Sequence, residues 1–162
     1  MFTSTQPPVF MQRFGSWINT KIWKIENYTL LFILLSIVLH ELFQLETDLV
    51  IAAFLLILSM SYFFSAFRVP DIPELKGIHL FSIKLTGFGS SVASIGILFA
   101  LFGWPGDSTA LLSAMLVMGI CIPVLLYMEQ MGNRFFPARM YIRLAVLILV
   151  SLLFYFELYN YS

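Results

Sequence analysis

Charged residues and cysteine are scarce in this chain. Only 11% of its 162 residues are Asp, Glu, Lys or Arg, whereas soluble domains contain about 25% charged residues. A water-soluble domain is therefore excluded as the main body of the protein. The single cysteine, Cys121, excludes an intrachain disulfide and a metal site built from several cysteines. We interpret it as a buried structural thiol, because an unpaired cysteine packs as a small hydrophobic residue.

Common catalytic motifs are also absent. The chain has neither a phosphate-binding Gly-x-x-x-x-Gly-Lys-Ser/Thr loop nor a Gly-x-Ser-x-Gly nucleophile elbow. The sequence from His40 to Gln44 resembles the zinc-protease motif HExxH, but Gln44 replaces the second histidine. Two protein ligands are too few for a stable zinc site. We therefore expect no catalytic residues, no metal, no cofactor and no nucleic-acid partner, and the interpretation leans towards a protein that is not an enzyme.

Long hydrophobic stretches occupy most of the chain. About 20 apolar residues are needed to cross a hydrocarbon core of about 30 Å, and five stretches reach or approach that length. They cover about residues 28–45, 49–67, 84–104, 110–128 and 140–159. The predicted fold class is all-α: a polytopic integral membrane protein with five transmembrane helices in residues 27–162. The predicted partner of this domain is the lipid bilayer that surrounds it.

The first 26 residues differ from the rest. Residues 1–8 are polar, contain Pro7-Pro8 and are predicted to be disordered. In residues 9–26 apolar side chains recur at steps of three and four, with cations between them, which is typical of an amphipathic helix. We expect this helix to lie in the inner headgroup layer. The alternative is a helix docked on a partner protein.

The basic residues predict the orientation of the chain. Five alternating spans place all nine Lys and Arg on one side, with a net charge of +5 against −5 on the other. Basic segments translocate poorly, so that side is cytoplasmic. The N-terminus is then cytoplasmic and the C-terminus extracytoplasmic. We expect six of these cations to contact lipid headgroups: Arg13, Lys21, Lys24, Arg134, Arg139 and Arg143.

Three further features have possible functional meaning. The third stretch carries a face of small residues that permits close helix packing, inside the bundle or with another subunit: Gly89, Ser90, Ala93, Ser94, Gly96 and Ala100. His40 and Glu41 form the candidate intramembrane ionisable pair, and they either line a proton path or reach the outer headgroups. Pro123 predicts a kink in the fourth span, as a hinge or as a packing feature.

One segment resembles a known family. The stretch Leu98–Gly106, with its Trp104-Pro105-Gly106 turn and the following Leu111-Leu112, is similar to the hairpin of GldL-type membrane proteins of Bacteroidota. The resemblance covers residues 98–128 and implies a bacterial inner-membrane hairpin protein. The family's motor activity does not carry over, because the predicted span after the turn at Gly106-Asp107 has no carboxylate before Glu129.

Three functions are compatible with these features. The leading hypothesis is a non-catalytic accessory or assembly subunit of a complex in the inner (plasma) membrane, which contacts other subunits or a second copy through residues 84–104. The second is a small proton-coupled carrier or channel that uses His40 and Glu41. The third is a lipid-modifying enzyme at the cytoplasmic face, where Arg134, Arg139 and Arg143 hold a phosphate headgroup.

Overall fold

The computed structural model describes residues 9–43, 46–67, 77–130 and 138–161, except for the side chains of residues 37, 40, 41, 78, 79 and 157–161. The described chain forms five α-helices. They are α1 (Val9–Phe43), α2 (Asp48–Ser65), α3 (Gly77–Phe102), α4 (Asp107–Gln130) and α5 (Ala138–Tyr161). The predicted all-α class is confirmed. The expectation of disorder concerns residues 1–8, which lie outside the described residues.

Four of these helices are long and apolar enough to cross a membrane. The qualifying segments are Asp48–Ser65, Leu80–Phe102, Asp107–Gln130 and Ala138–Phe156. The shortest has 18 residues, which corresponds to about 27 Å at 1.5 Å per residue. The chain therefore has the make-up of a multi-pass membrane protein. Helix α1 is not among the four.

Helix α1 differs from its predicted organisation. The sequence indicated an interfacial helix over 9–26 followed by a separate span over 28–45, whereas the structure contains one helix of 35 residues, about 52 Å long. The helix contains no proline, and its only glycine, Gly15, lies well before the predicted boundary. Nothing near residue 27 interrupts the ladder of backbone hydrogen bonds. The amphipathic and the apolar segments thus belong to one continuous helix.

The turn between α3 and α4 depends on two glycines. Gly103 has φ 60° and Gly106 has φ 93°, both in the left-handed region that side chains disfavour. The Trp104 amide donates to the Phe99 carbonyl at 2.9 Å and closes the end of α3. This sharp reversal makes α3 and α4 an antiparallel hairpin.

Helix α3 lies at the centre of the bundle, in contact with α2, α4 and α5. Small residues allow the close approach: a Cβ added at Gly96 would lie 3.1 Å from the backbone nitrogen of Leu111 on α4. On the α2 side, the hydroxyls of Ser59 and Ser91 share a hydrogen bond of 2.9 Å. The other helices pack around this centre, α1 on α2 and α5 on α3 and α4.

The two ends of the bundle differ in charge. At one end α2 finishes and α3 and α5 begin, and all described cations lie on the parts of the helices near or beyond it. We call it the basic end; its cations are Arg13, Lys21, Lys24, Lys84, Arg139 and Arg143. The opposite, acidic end carries Glu46, Asp48 and Asp107. The charge division noted in the sequence is therefore also present in the described part of the fold.

Candidate functional site

A cleft of about 290 Å³ opens between α1, α2 and α5 at the basic end. We call it the α1–α5 cleft. Its polar part is lined by six side chains from the three helices: Trp23, Glu26, Asn27, Tyr62, Arg139 and Arg143. Its apolar lining consists of Leu30, Leu58, Ile142, Val146 and Leu147. All of these except Ile142 lie farther from the basic end along their helices than Glu26, Tyr62 and Arg143 do. The cleft is thus amphipathic, with its charged part at the end of the bundle.

An ion pair crosses the cleft. The Arg143 Nε atom contacts the Glu26 Oε1 atom, and the two side chains are 16% and 12% exposed. Neither atom has a further hydrogen-bond partner in the described part of the chain. The Tyr62 hydroxyl also interacts with the Glu26 side chain. The ion pair nevertheless supplies the opposite charge for each group, and a partly buried charge without a partner is costly.

Aromatic rings support both arginines of the cleft. The Arg139 guanidinium carbon lies 3.5 Å from the centre of the Trp23 ring, and that of Arg143 lies 4.8 Å from the centre of the Tyr62 ring. Tyr62 is only 3% exposed, so its ring is a fixed platform. Such cation–π contacts orient a guanidinium by its face and leave its N–H edge available to other groups.

The ion pair bridges helices that do not pack directly. The described residues of α5 have no Cα within 8 Å of a described residue of α1 or α2. The long Arg143 side chain fills this separation, with Glu26 of α1 on one side and Tyr62 of α2 on the other. The pair therefore ties α5 to the α1–α2 hairpin across an open groove.

Helical spacing explains why these groups converge. Arg139 and Arg143 are four residues apart near the start of α5, so they share one face of that helix. Trp23 and Glu26 are three residues apart on α1 and face them. Tyr62 lies in the last turn of α2, at the same end of the bundle. The middle of α1, the last turn of α2 and the start of α5 thus supply one set of side chains.

The small residues singled out on α3 lie inside the bundle or at its edge. Ser90, Ala93 and Ser94 are completely buried, and Gly89 and Gly96 lie against α4. Ala100 is partly buried against the core. These residues pack against other helices of the same chain. In the apolar part of α3, 56% of the residues are buried, compared with 17% in that of α5.

The predicted headgroup cations separate into two groups. Arg13, Lys21, Lys24 and Arg139 are exposed, while Arg143 is partly buried in the cleft. The Lys21 ammonium lies 4.7 Å from the centre of the Trp17 ring. Arg134 lies outside the described residues. Arg139 and Arg143 are the only described pair of these cations that the fold brings into one site.

Two other features predicted from the sequence, the ionisable pair and the proline kink, are not part of a site among the described residues. His40 and Glu41 lie in the last turns of α1, and their side chains lie outside the described residues. Pro123 lies within α4, which continues to Gln130, and it is exposed. The described residues contain no group of three His, Cys, Asp or Glu side chains that could hold a metal ion.

Sequence reasoning missed Glu26, Tyr62 and Trp23. In the sequence analysis Glu26 enters only through the net charge of +5, as one of the four acids on the basic side. A usable signal was present, since Glu26 is the only acid among the cations of the N-terminal segment. A carboxylate placed among cations at a span end predicts an ion pair with a basic helix start. Its partner, however, could not be chosen from nine cations.

Comparisons with protein-family models, with curated proteins and with solved structures find no match for this chain. The resemblance to GldL-type hairpins stays a prediction. The class of the protein, a helical multi-pass membrane protein, rests on the fold. Its function must be argued from the α1–α5 cleft and the charge division.

Proposed function

We propose that this chain is a five-span membrane protein of the bacterial inner membrane that works as a non-catalytic accessory or assembly subunit, with its basic end in the cytoplasm. The observation that favours a binding role for the α1–α5 cleft, over catalysis or proton transport, is its ion pair. Glu26 and Arg143 are committed to holding helices together, and Arg139 presents its donors at the rim. This arrangement suits binding rather than proton transfer, because an arginine stays charged.

The fifth crossing is supported by the second half of α1. This half packs beside α2 along its length: the Phe32 and Phe54 rings stack at 4.9 Å, and the Thr47 hydroxyl donates to the Ser36 carbonyl at 3.2 Å. If α2 crosses the bilayer, residues 27–43 of α1 lie at the same depths. The first half then lies at the basic end, where the Phe14 ring meets the Phe64 ring of α2 at 4.8 Å and an amphipathic helix can contact headgroups.

Thiol labelling tests this threading. In a chain carrying Cys121→Ser, single cysteines are introduced as Ser16→Cys on α1 and Ser108→Cys on α4, both at exposed positions. We expect a membrane-impermeant maleimide to label Ser108→Cys in intact cells and Ser16→Cys only after permeabilisation. Labelling of both variants in intact cells would mean that α1 does not cross, and would refute the five-span arrangement.

The accessory role requires a partner surface. The small-residue face of α3 is already covered by the chain's own helices, so a second subunit would contact the more exposed α1, α4 or α5. We expect crosslinking in cells, followed by purification in mild detergent, to yield a species larger than one chain. A pure monomer with and without crosslinking would contradict this role.

A lipid-modifying enzyme is the second candidate, because two arginines lie beside an apolar groove at the basic end. It predicts turnover of a lipid by the purified protein, whereas the accessory role predicts none.

The carrier alternative depends on His40 and Glu41, and a proton flux in liposomes that Glu41→Gln abolishes would favour it.

A further inference from the structure

We infer that the α1–α5 cleft binds one anionic phospholipid. The phosphate is bound by Arg139 with help from Arg143, and one acyl chain lies along the apolar part of the cleft. This inference rests on the proposed function in one respect, namely that the basic end faces the cytoplasmic leaflet, where the cleft meets anionic headgroups.

The charge of the cleft suits a single phosphate. Two arginines and one glutamate leave a net charge of +1 at its polar part. Arg143 is neutralised by Glu26, whereas Arg139 has no carboxylate partner among the described residues. The Arg139 guanidinium stacks on Trp23 by its face, so its in-plane N–H groups remain able to bind phosphate oxygens in a fork.

The remainder of the cleft suits an acyl chain. From Arg139 to Val146 the cleft descends along α5 by about 10 Å at 1.5 Å per residue, within a leaflet about 15 Å deep. Over that depth its walls are the aliphatic side chains of Leu30, Leu58 and Val146 with their neighbours. A chain lying there continues into the surrounding lipid.

A lipid fits this space better than a helix from a partner does. The cleft measures about 290 Å³, near the lower limit of ligand pockets, about 300 Å³. A helix from a partner is about 10 Å across with its side chains, so most of its circumference would lie outside the cleft. The position of the polar groups also matches a lipid, with charge at the bundle end and hydrocarbon below it.

Native mass spectrometry of the purified protein tests the inference. The protein is titrated with phosphatidylglycerol or with phosphatidylcholine of identical acyl chains. Both lipids offer a phosphate to Arg139, but the choline cation of phosphatidylcholine is repelled by the net charge of +1 in the cleft. We therefore expect the first phosphatidylglycerol to bind about tenfold more tightly. Arg139→Gln should remove most of this preference, and Lys84→Gln, which removes an exposed cation of α3 outside the cleft, should keep it.

A second pair of variants tests the apolar part. Val146→Trp fills the cleft and should weaken binding of both lipids, whereas Val92→Trp, at a similarly exposed valine of α3 outside the cleft, should not. Equal affinity for the two lipids in the wild type would overturn the inference. So would equal losses in Arg139→Gln and Lys84→Gln, or a co-purified protein whose removal is needed before lipid binds. Labelling of Ser16→Cys and Ser108→Cys reports separately on the proposed threading.

Discussion

The ion pair between Glu26 and Arg143 offers the sharpest test of the fold. If it ties α5 to the α1–α2 hairpin, the two residues must be energetically coupled. The perturbation is a double-mutant cycle with Glu26→Gln, Arg143→Gln and the combined variant. Glutamine keeps the approximate size of Glu26 and removes its charge.

The expected magnitudes follow from burial. Removing one partner of a buried ion pair costs about 3–5 kcal/mol, but these side chains are 12% and 16% exposed. We expect Glu26→Gln to cost about 2 kcal/mol, because the long Arg143 side chain can move towards headgroups. Arg143→Gln should cost about 3 kcal/mol, because the shorter Glu26 cannot move away. The double variant should cost about 2–3 kcal/mol, which gives a coupling free energy of about 2–3 kcal/mol.

Cys121 provides the assay. It is the only cysteine and is 1% exposed in the core, so a fluorogenic maleimide reacts with it only when the bundle opens. In mild detergent the melting temperature of Glu26→Gln should fall by about 4–8 °C, at about 2–4 °C per kcal/mol for a chain of this size. Exchanging exposed Lys24 for Gln is the control and should have little effect.

Additivity would refute this reasoning. If the free-energy losses of the two single variants simply sum in the double variant, Glu26 and Arg143 do not interact, and α5 is held by α3 and α4 alone. Unchanged stability in both single variants would have the same meaning.

Two further predictions concern the packing of α3. Gly87→Ala should destabilise the bundle by about 1–3 kcal/mol, because the added Cβ would lie 2.7 Å from the Ala66 Cβ; Gly119→Ala, which meets nothing within 4 Å, should be neutral or stabilising by up to about 1 kcal/mol. Ser59→Ala should cost about 0.5–1.5 kcal/mol, because it removes the hydrogen bond to Ser91 between two buried hydroxyls. Melting temperatures from the Cys121 assay measure both.

A matched serine completes the second of these tests. Ser113 is exposed and its hydroxyl donates only to the Thr109 carbonyl of its own helix. Ser113→Ala should therefore leave the melting temperature nearly unchanged. If Ser113→Ala and Ser59→Ala lower it equally, the hydrogen bond between α2 and α3 does not contribute to packing.

Much of the fold could be predicted from residues close together in the sequence. Apolar stretches long enough for a bilayer predicted helices 2 to 5, and the structure has a helix at each of them. The organisation of α1 could not be predicted in the same way. A change from amphipathic to apolar composition near residue 27 suggested two elements, but composition does not end a helix when neither proline nor glycine interrupts its hydrogen bonds.

The site shows the same distinction. Arg139 and Arg143 were predicted to contact headgroups, because cations at span ends are visible in the sequence alone. Their placement beside Glu26, Tyr62 and Trp23 was not visible, since these residues come from three helices and are distant in the chain. A pairing between such residues depends on how the helices pack, and nine cations offer too many partners for one acid.

The amino-acid sequence by itself determined the class of this protein and the separation of its charges, because hydrophobic length and the positions of cations are properties of each segment alone. Only the tertiary structure decided that α3 occupies the centre and that α5 stands away from α1 and α2. Small side chains let α3 approach its neighbours closely, while the groove left beside α5 is crossed by a charged side chain. That groove exists because α5 packs on α3 and α4, whereas α1 packs on α2.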